Sequence, residues 1–167
     1  MKRIVSVAHY IYSEYKNIFG ACIDEMKLHK LLYLAQRESL AITGNPLFDG
    51  VFHGWKFGPV NLDVRKHFKR GKFSDNVRIN ISSESAYIAK NIILQYGASG
   101  SWNLSELSHS ESSWKNSRIG IPDGVNGDKI ISIDDIREDA KSVRPYDSLW
   151  DMYYDEFEDY ESMGNRY

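Results

Sequence analysis

Apolar residues recur every three to four positions at the start of this chain, where Ile4, Val7, Ala8, Ile11, Tyr12, Tyr15 and Ile18 share one stripe. That spacing predicts an amphipathic helix over 2–18, closed by Gly20. A second helix starts at Asp24, a residue type that caps helix N-termini, and is expected to bury Met26, Leu28, Leu31, Leu32, Leu34, Ala35 and Leu40. Its apolar positions occupy more than one face, which marks it as the central helix of the domain. Gly44-Asn45-Pro46 stops it.

The aromatic run VFHGWKF, 51–57, then reads as a short strand. Gly58 permits a tight turn, and Pro59 suits the first position of a basic helix over 60–69. The alternating segment 77–81 is expected to pair with 51–57. Ser82 opens a helix that runs through Ile88, Ile92, Ile93 and Tyr96 to Gly97. A loop over 98–102 and a short helix over 103–107 follow, with Ser108–Glu111 as its exit. A turn-rich, exposed stretch at 120–127, a strand over 129–133 and a helix over 135–142 capped by Asp134 complete the domain. The fold class expected is mainly α: a compact helical domain, 1–145, with a small β-hairpin or two to three short strands.

Pro145 breaks the chain before a different pattern. In 146–167, Trp150, Tyr153, Tyr154, Phe157 and Tyr160 recur at helical spacing, with Asp151, Asp155, Glu158 and Asp159 between them. Disordered tails lack such aromatic content, so this segment reads as an amphipathic helix that docks on a partner or on its own domain.

Charge sharpens that division. The whole chain carries −2, but seven acidic residues and one basic residue put 146–167 at −6, which leaves the body at +4. A length of 167 residues, with 42% apolar and 26% charged content, suits one soluble domain with an appendage. The single cysteine, Cys22, excludes an internal disulfide and is expected to be a small core residue. The N-terminal apolar run is interrupted by Ser6, His9 and Ser13, so it reads as neither a signal peptide nor a membrane span, and a cytoplasmic location is expected.

Candidate chemistry is sparse. The histidines have no HExxH or Cys/His spacing, and no Gly-rich phosphate loop or G-x-S-x-G elbow occurs. No metal or cofactor is expected. Ser108, His109 and Glu111 can be drawn as nucleophile, base and orienter of a hydrolase. Residues so close together at a helix end more often make capping bonds, and the structural reading is favoured. The basic run from Arg65 to Lys72 would suit a DNA-binding autorepressor, but such runs are usually solvated faces or meet an acidic segment, here the tail. A pI near 6.2 argues further against a general nucleic-acid binder. Trp55 and Trp114 read as core aromatics or halves of a partner-facing patch, with core packing favoured. Lys56 is expected to point away from Trp55 and Phe57.

Three stretches fix a resemblance: Lys30-Leu31-Leu32-Tyr33, Trp55-Lys56-Phe57-Gly58-Pro59-Val60, and Leu107-Ser108-His109 with Trp114. In their order and spacing they resemble the Panacea domain, the SocA-like antitoxin domain of prophage-associated proteins and toxin–antitoxin operons, over roughly 5–140. Many members have Pro before the last Trp, where this chain has Ser113. The resemblance implies a mostly helical, non-enzymatic protein that neutralises a co-encoded toxin by direct binding, or delivers it to a host protease as an adaptor. A phage-encoded inhibitor of a host defence protein is the alternative. Candidate partner-binding residues are Trp55, Lys56, Gly58 and Pro59 at the corner, His109 and Trp114 behind it, and Trp150, Tyr153, Tyr154, Asp155, Phe157 and Glu158 in the tail.

Overall fold

Two left-handed glycines, Gly20 (φ 69°) and Gly44 (φ 74°), bracket the segment on which the rest of the chain packs. The structure is a computed structural model and describes residues 2–74 and 78–145. Its elements run β1 (Lys2–Arg3), α1 (Ile4–Phe19), α2 (Glu25–Thr43), β2 (Phe48–Asp49), β3 (Phe52–Trp55), β4 (Gly58–Val60), α3 (Leu62–Lys69), α4 (Ser83–Tyr96), α5 (Ser101–His109), α6 (Ser112–Ser117), β5 (Ile130–Ile131) and α7 (Ile133–Ala140). This is the mainly α architecture with short strands that the periodicity predicts.

Helix α2 is the hub. Asp24 Oδ1 accepts the Lys27 N–H at 2.8 Å, which caps its start as expected. Every residue from Lys27 to Leu40 is buried, because α1, α4, α5 and α7 surround it. The apolar core runs from Val7, Ala8 and Ile11 of α1 through the α2 leucines to Ile88, Ile92 and Ile93 of α4. A helix buried on all sides must also satisfy its polar side chains. Lys27 Nζ donates to Tyr15 Oη (3.2 Å) and the Gly97 carbonyl (3.0 Å). Gln36 accepts from the Leu47 N–H (2.8 Å) and donates to the Phe48 carbonyl (3.3 Å), which ties the following loop to the helix. Arg37 pairs with Glu111.

Two small sheets flank the helices. β1 and β2 are parallel, and β3 lies between β4 and β5 in an antiparallel sheet. Several expectations are corrected here. Residues 78–81 form no strand, since β3 is already paired on both edges by β4 and β5. Pro59 belongs to β4 rather than opening a helix; Asn61 caps α3 instead, accepting the Val64 N–H at 2.9 Å. Helix α5 begins at Ser101, so Trp102 is helical and not in a loop. Ser132, not Asp134, caps α7. Cys22 is exposed, because Ile23 takes the buried position beside it. Ile18 also reaches the surface, and Met26 is half-buried.

Candidate protein-interaction surface

Strands β3 and β4 form a tight hairpin in which Trp55 pairs with Gly58 and Lys56-Phe57 make the turn. Gly58 has φ 114°, a conformation L side chains rarely adopt. A Cβ there would also run into Ser108 Oγ and lie 2.6 Å from Lys30 Cε. The hairpin is pinned from below by α5 and α6. Ser105 Oγ donates to the Phe57 carbonyl (2.6 Å), and Trp114 Nε1 donates to the Trp55 carbonyl (2.9 Å). The His109 ring stacks on Trp114 at 4.1 Å and 19°. Arg118 Nη1 holds the Gly54 carbonyl at 2.9 Å.

Lys30 lies beneath the hairpin, 1% exposed, and its Nζ donates to the Pro59 carbonyl at 3.4 Å. Burial pulls this amine down to about 7, against the opposing charge of Asp24. Burial also lowers His109, and the nearby Lys30 adds to that shift. His29 Nδ1 accepts the Asn61 N–H at 3.3 Å, and its Nε2 stands 3.5 Å from Glu25 Oε1, at the outer limit of a hydrogen bond. Burial lowers His29 despite that carboxylate. Glu25 is held at about 2 by the His29 contact and by Arg65 and Lys69, against the effect of its own burial.

Between the start of α2 and the hairpin turn lies a cleft of about 270 Å³, with His29 and Lys30 in its floor and Trp55, Lys56, Phe57 and Arg65 in its walls. The Arg65 guanidinium sits 5.1 Å over the Trp55 ring and bonds Glu25 Oε1 at 2.7 Å. The Lys56 ammonium folds back to 5.1 Å from the Phe57 ring. Lys56 therefore does not point away from its neighbour: it lies in a turn, where strand alternation no longer applies. Phe57 packs edge-on against Trp102, with ring centroids 5.1 Å apart, and the two are 42% and 61% exposed. Two contacting aromatic rings left in water at the mouth of a cationic cleft are the chemistry of a protein-binding anchor.

The predicted site residues separate into roles. Trp55 and Lys56 line the cleft. Gly58 and Pro59 are buried under it, so the corner presents its turn to solvent and not its Gly-Pro pair. His109 and Trp114 are half-buried braces behind the hairpin. Trp150, Tyr153, Tyr154, Asp155, Phe157 and Glu158 lie outside the described residues. Ser108, His109 and Glu111 turn to different partners: Ser108 Oγ donates to the Ser105 carbonyl, His109 stacks on Trp114 and Glu111 pairs with Arg37. Among the described residues no His, Cys, Asp and Glu group has metal-holding geometry, and no helix is long and apolar enough to cross a membrane. Phe57 and Trp102 are contacts that the sequence does not mark, while Arg65 belongs to the basic run expected to meet the tail and is found on Trp55 and Glu25. Trp102 lies one helical turn before Ser105, inside α5.

The family profile of the antitoxin SocA-like Panacea domain matches residues 28–115, more than half of the chain. The chain belongs to this family. The Panacea match starts in α2 and ends in α6, so it contains the hairpin, most of the cleft's lining and Trp114 and His109 behind it, but not Glu25, Asn126 or Arg118. It is narrower than the stretch 5–140 expected from the motifs. Antitoxin SocA of Caulobacter vibrioides (strain NA1000 / CB15N) is 46% identical over 46 residues, which is 28% of this chain and 24% of that protein. The match thus spans about a quarter of the curated relative's length. No solved structure matches.

The Panacea motifs meet at one place in this fold. Lys30 from the first, Gly58 from the second and Ser108 from the third are packed against one another, and Tyr33 Oη shares a hydrogen bond with Ser113 Oγ (2.5 Å). Where other members have Pro, Ser113 also donates its N–H to Asp139 Oδ2 at 2.9 Å, a bond proline cannot make.

Proposed function

We propose that this chain is an antitoxin that neutralises a toxic protein by binding it directly, with the cleft beside Trp55 and the exposed Phe57–Trp102 pair as the central contact. The observation that carries the reading is that pair of water-exposed rings, Phe57 on a hairpin at which three Panacea motifs meet and Trp102 on α5 beside it. Lys56 and Arg65 give the rim its charge, and such rim charges steer a partner of opposite sign. The tail residues Trp150, Tyr153, Tyr154, Asp155, Phe157 and Glu158 add a second set of contacts that cover the toxin's own phosphate- or nucleic-acid-binding site. The reading requires no catalysis by His109 or Glu111, whose side chains serve the packing of α5 and α6.

Co-expression with the product of the neighbouring open reading frame tests it. The wild-type chain restores growth, and Phe57→Ala/Trp102→Ala does not, while keeping its circular dichroism spectrum and Tm. Growth restored equally by both overturns the placement of the contact. A neighbouring product that is not toxic overturns the antitoxin reading.

A further inference from the structure

The cleft is built for an anionic aromatic segment, and the chain itself contains one. We propose that in the free protein the acidic C-terminal segment, 146–167, docks in the cleft beside Trp55, so that a toxin binds by displacing it. This rests on the reading of the cleft as the partner surface and adds its regulation.

Charge is the first argument. Lys30, Lys56 and Arg65 line the cleft with a single carboxylate, Glu25, which already bonds Arg65 (2.7 Å) and Lys69 (3.3 Å) and faces His29. Lys30 has three donors and one long bond to a carbonyl at 3.4 Å. The tail carries −6 against +4 on the body.

The second argument is apolar. Trp55 and Phe57 line the cleft and Trp102 packs on Phe57 beside it, and the tail offers Trp150, Tyr153, Tyr154 and Phe157 among its acidic residues. Aromatic pairs add to simple area burial. Reach is the third. Twenty-two residues follow Pro145, and a chain of that length spans up to about 70 Å extended or about 33 Å as a helix. A body of 145 residues has a radius of gyration of only about 15 Å. A tethered segment works at an effective concentration near the millimolar range, which favours the chain's own tail over a segment from another molecule.

Zero-length carbodiimide coupling of the full-length chain, at low concentration and without toxin, reads the contact directly. The expected result is Lys56 joined to a tail carboxylate within the monomer, roughly tenfold or more above coupling of the tail to Lys115 or Lys129, since tethering alone brings the tail to all three alike and only docking favours Lys56. Asp155→Asn/Glu156→Gln/Glu158→Gln is expected to remove that excess. Coupling of the tail spread evenly over surface lysines, or found only in the dimer band, overturns the proposal. Because no toxin is present, such a failure leaves the antitoxin reading standing. A neighbouring product that is not toxic fails the antitoxin reading instead.

Discussion

Lys30 shows how a single side chain can be costly and still useful. Its amine is held in an almost dry site at about 7, against 10.5 when exposed. Across that interval the unfolded chain binds more protons than the folded one, so wild-type stability rises with pH from about 7 to 10.5. Lys30→Met removes the penalty, which is complete below about 7. It is expected to gain about 2 kcal/mol near neutral pH, with the gain shrinking as pH approaches 10.5. Urea midpoints of the two proteins over this range check it, and parallel curves would refute it. Ser113 makes the complementary case. Ser113→Pro deletes the N–H that Asp139 accepts and the hydroxyl that Tyr33 meets, and is expected to cost about 1–3 kcal/mol in a chemical melt.

At the scale of elements, Glu25 links the start of α2 to α3 through Arg65 and Lys69. Its carboxyl titrates at about 2 in the folded chain and near 4.5 when free. The stability it contributes is present above 4.5 and is lost as pH falls toward 2. Glu25→Gln is expected to flatten the acid limb of a stability profile in that window; an unchanged slope would show that the link carries no stability. Most helices were legible because burial imposes a period and Asp24, Ser82, Gly20 and Gly44 punctuate it. A small hairpin was expected, but the strands that pair with β3 were not legible. They span three and two residues, and pairing of β3 with β5 joins positions far apart in the chain. No local pattern records such a contact. Trp114 was legible as a core aromatic with a bonded N–H, but Cys22 was not legible as exposed, since Ile23 next to it was free to take the buried place.

At the scale of the molecule, the family match of 28–115 covers the hairpin and most of the cleft's lining but neither α1, α7 nor the tail. If the tail both closes the cleft and then holds the toxin, ending the chain after Pro145 changes two rates in the same direction. Association is expected to quicken because the cleft stands open, and dissociation to quicken more because tail contacts are gone. Unchanged rates on a toxin-coated surface would remove the tail from the account. The central claim rests on the two exposed rings. Titration calorimetry of the full-length chain with the neighbouring gene's purified product measures it most directly. Phe57→Ala/Trp102→Ala is predicted to weaken Kd by roughly 30-fold or more, the scale of an interface hot spot, with Tm unchanged. An equal Kd for wild type and variant would contradict the account.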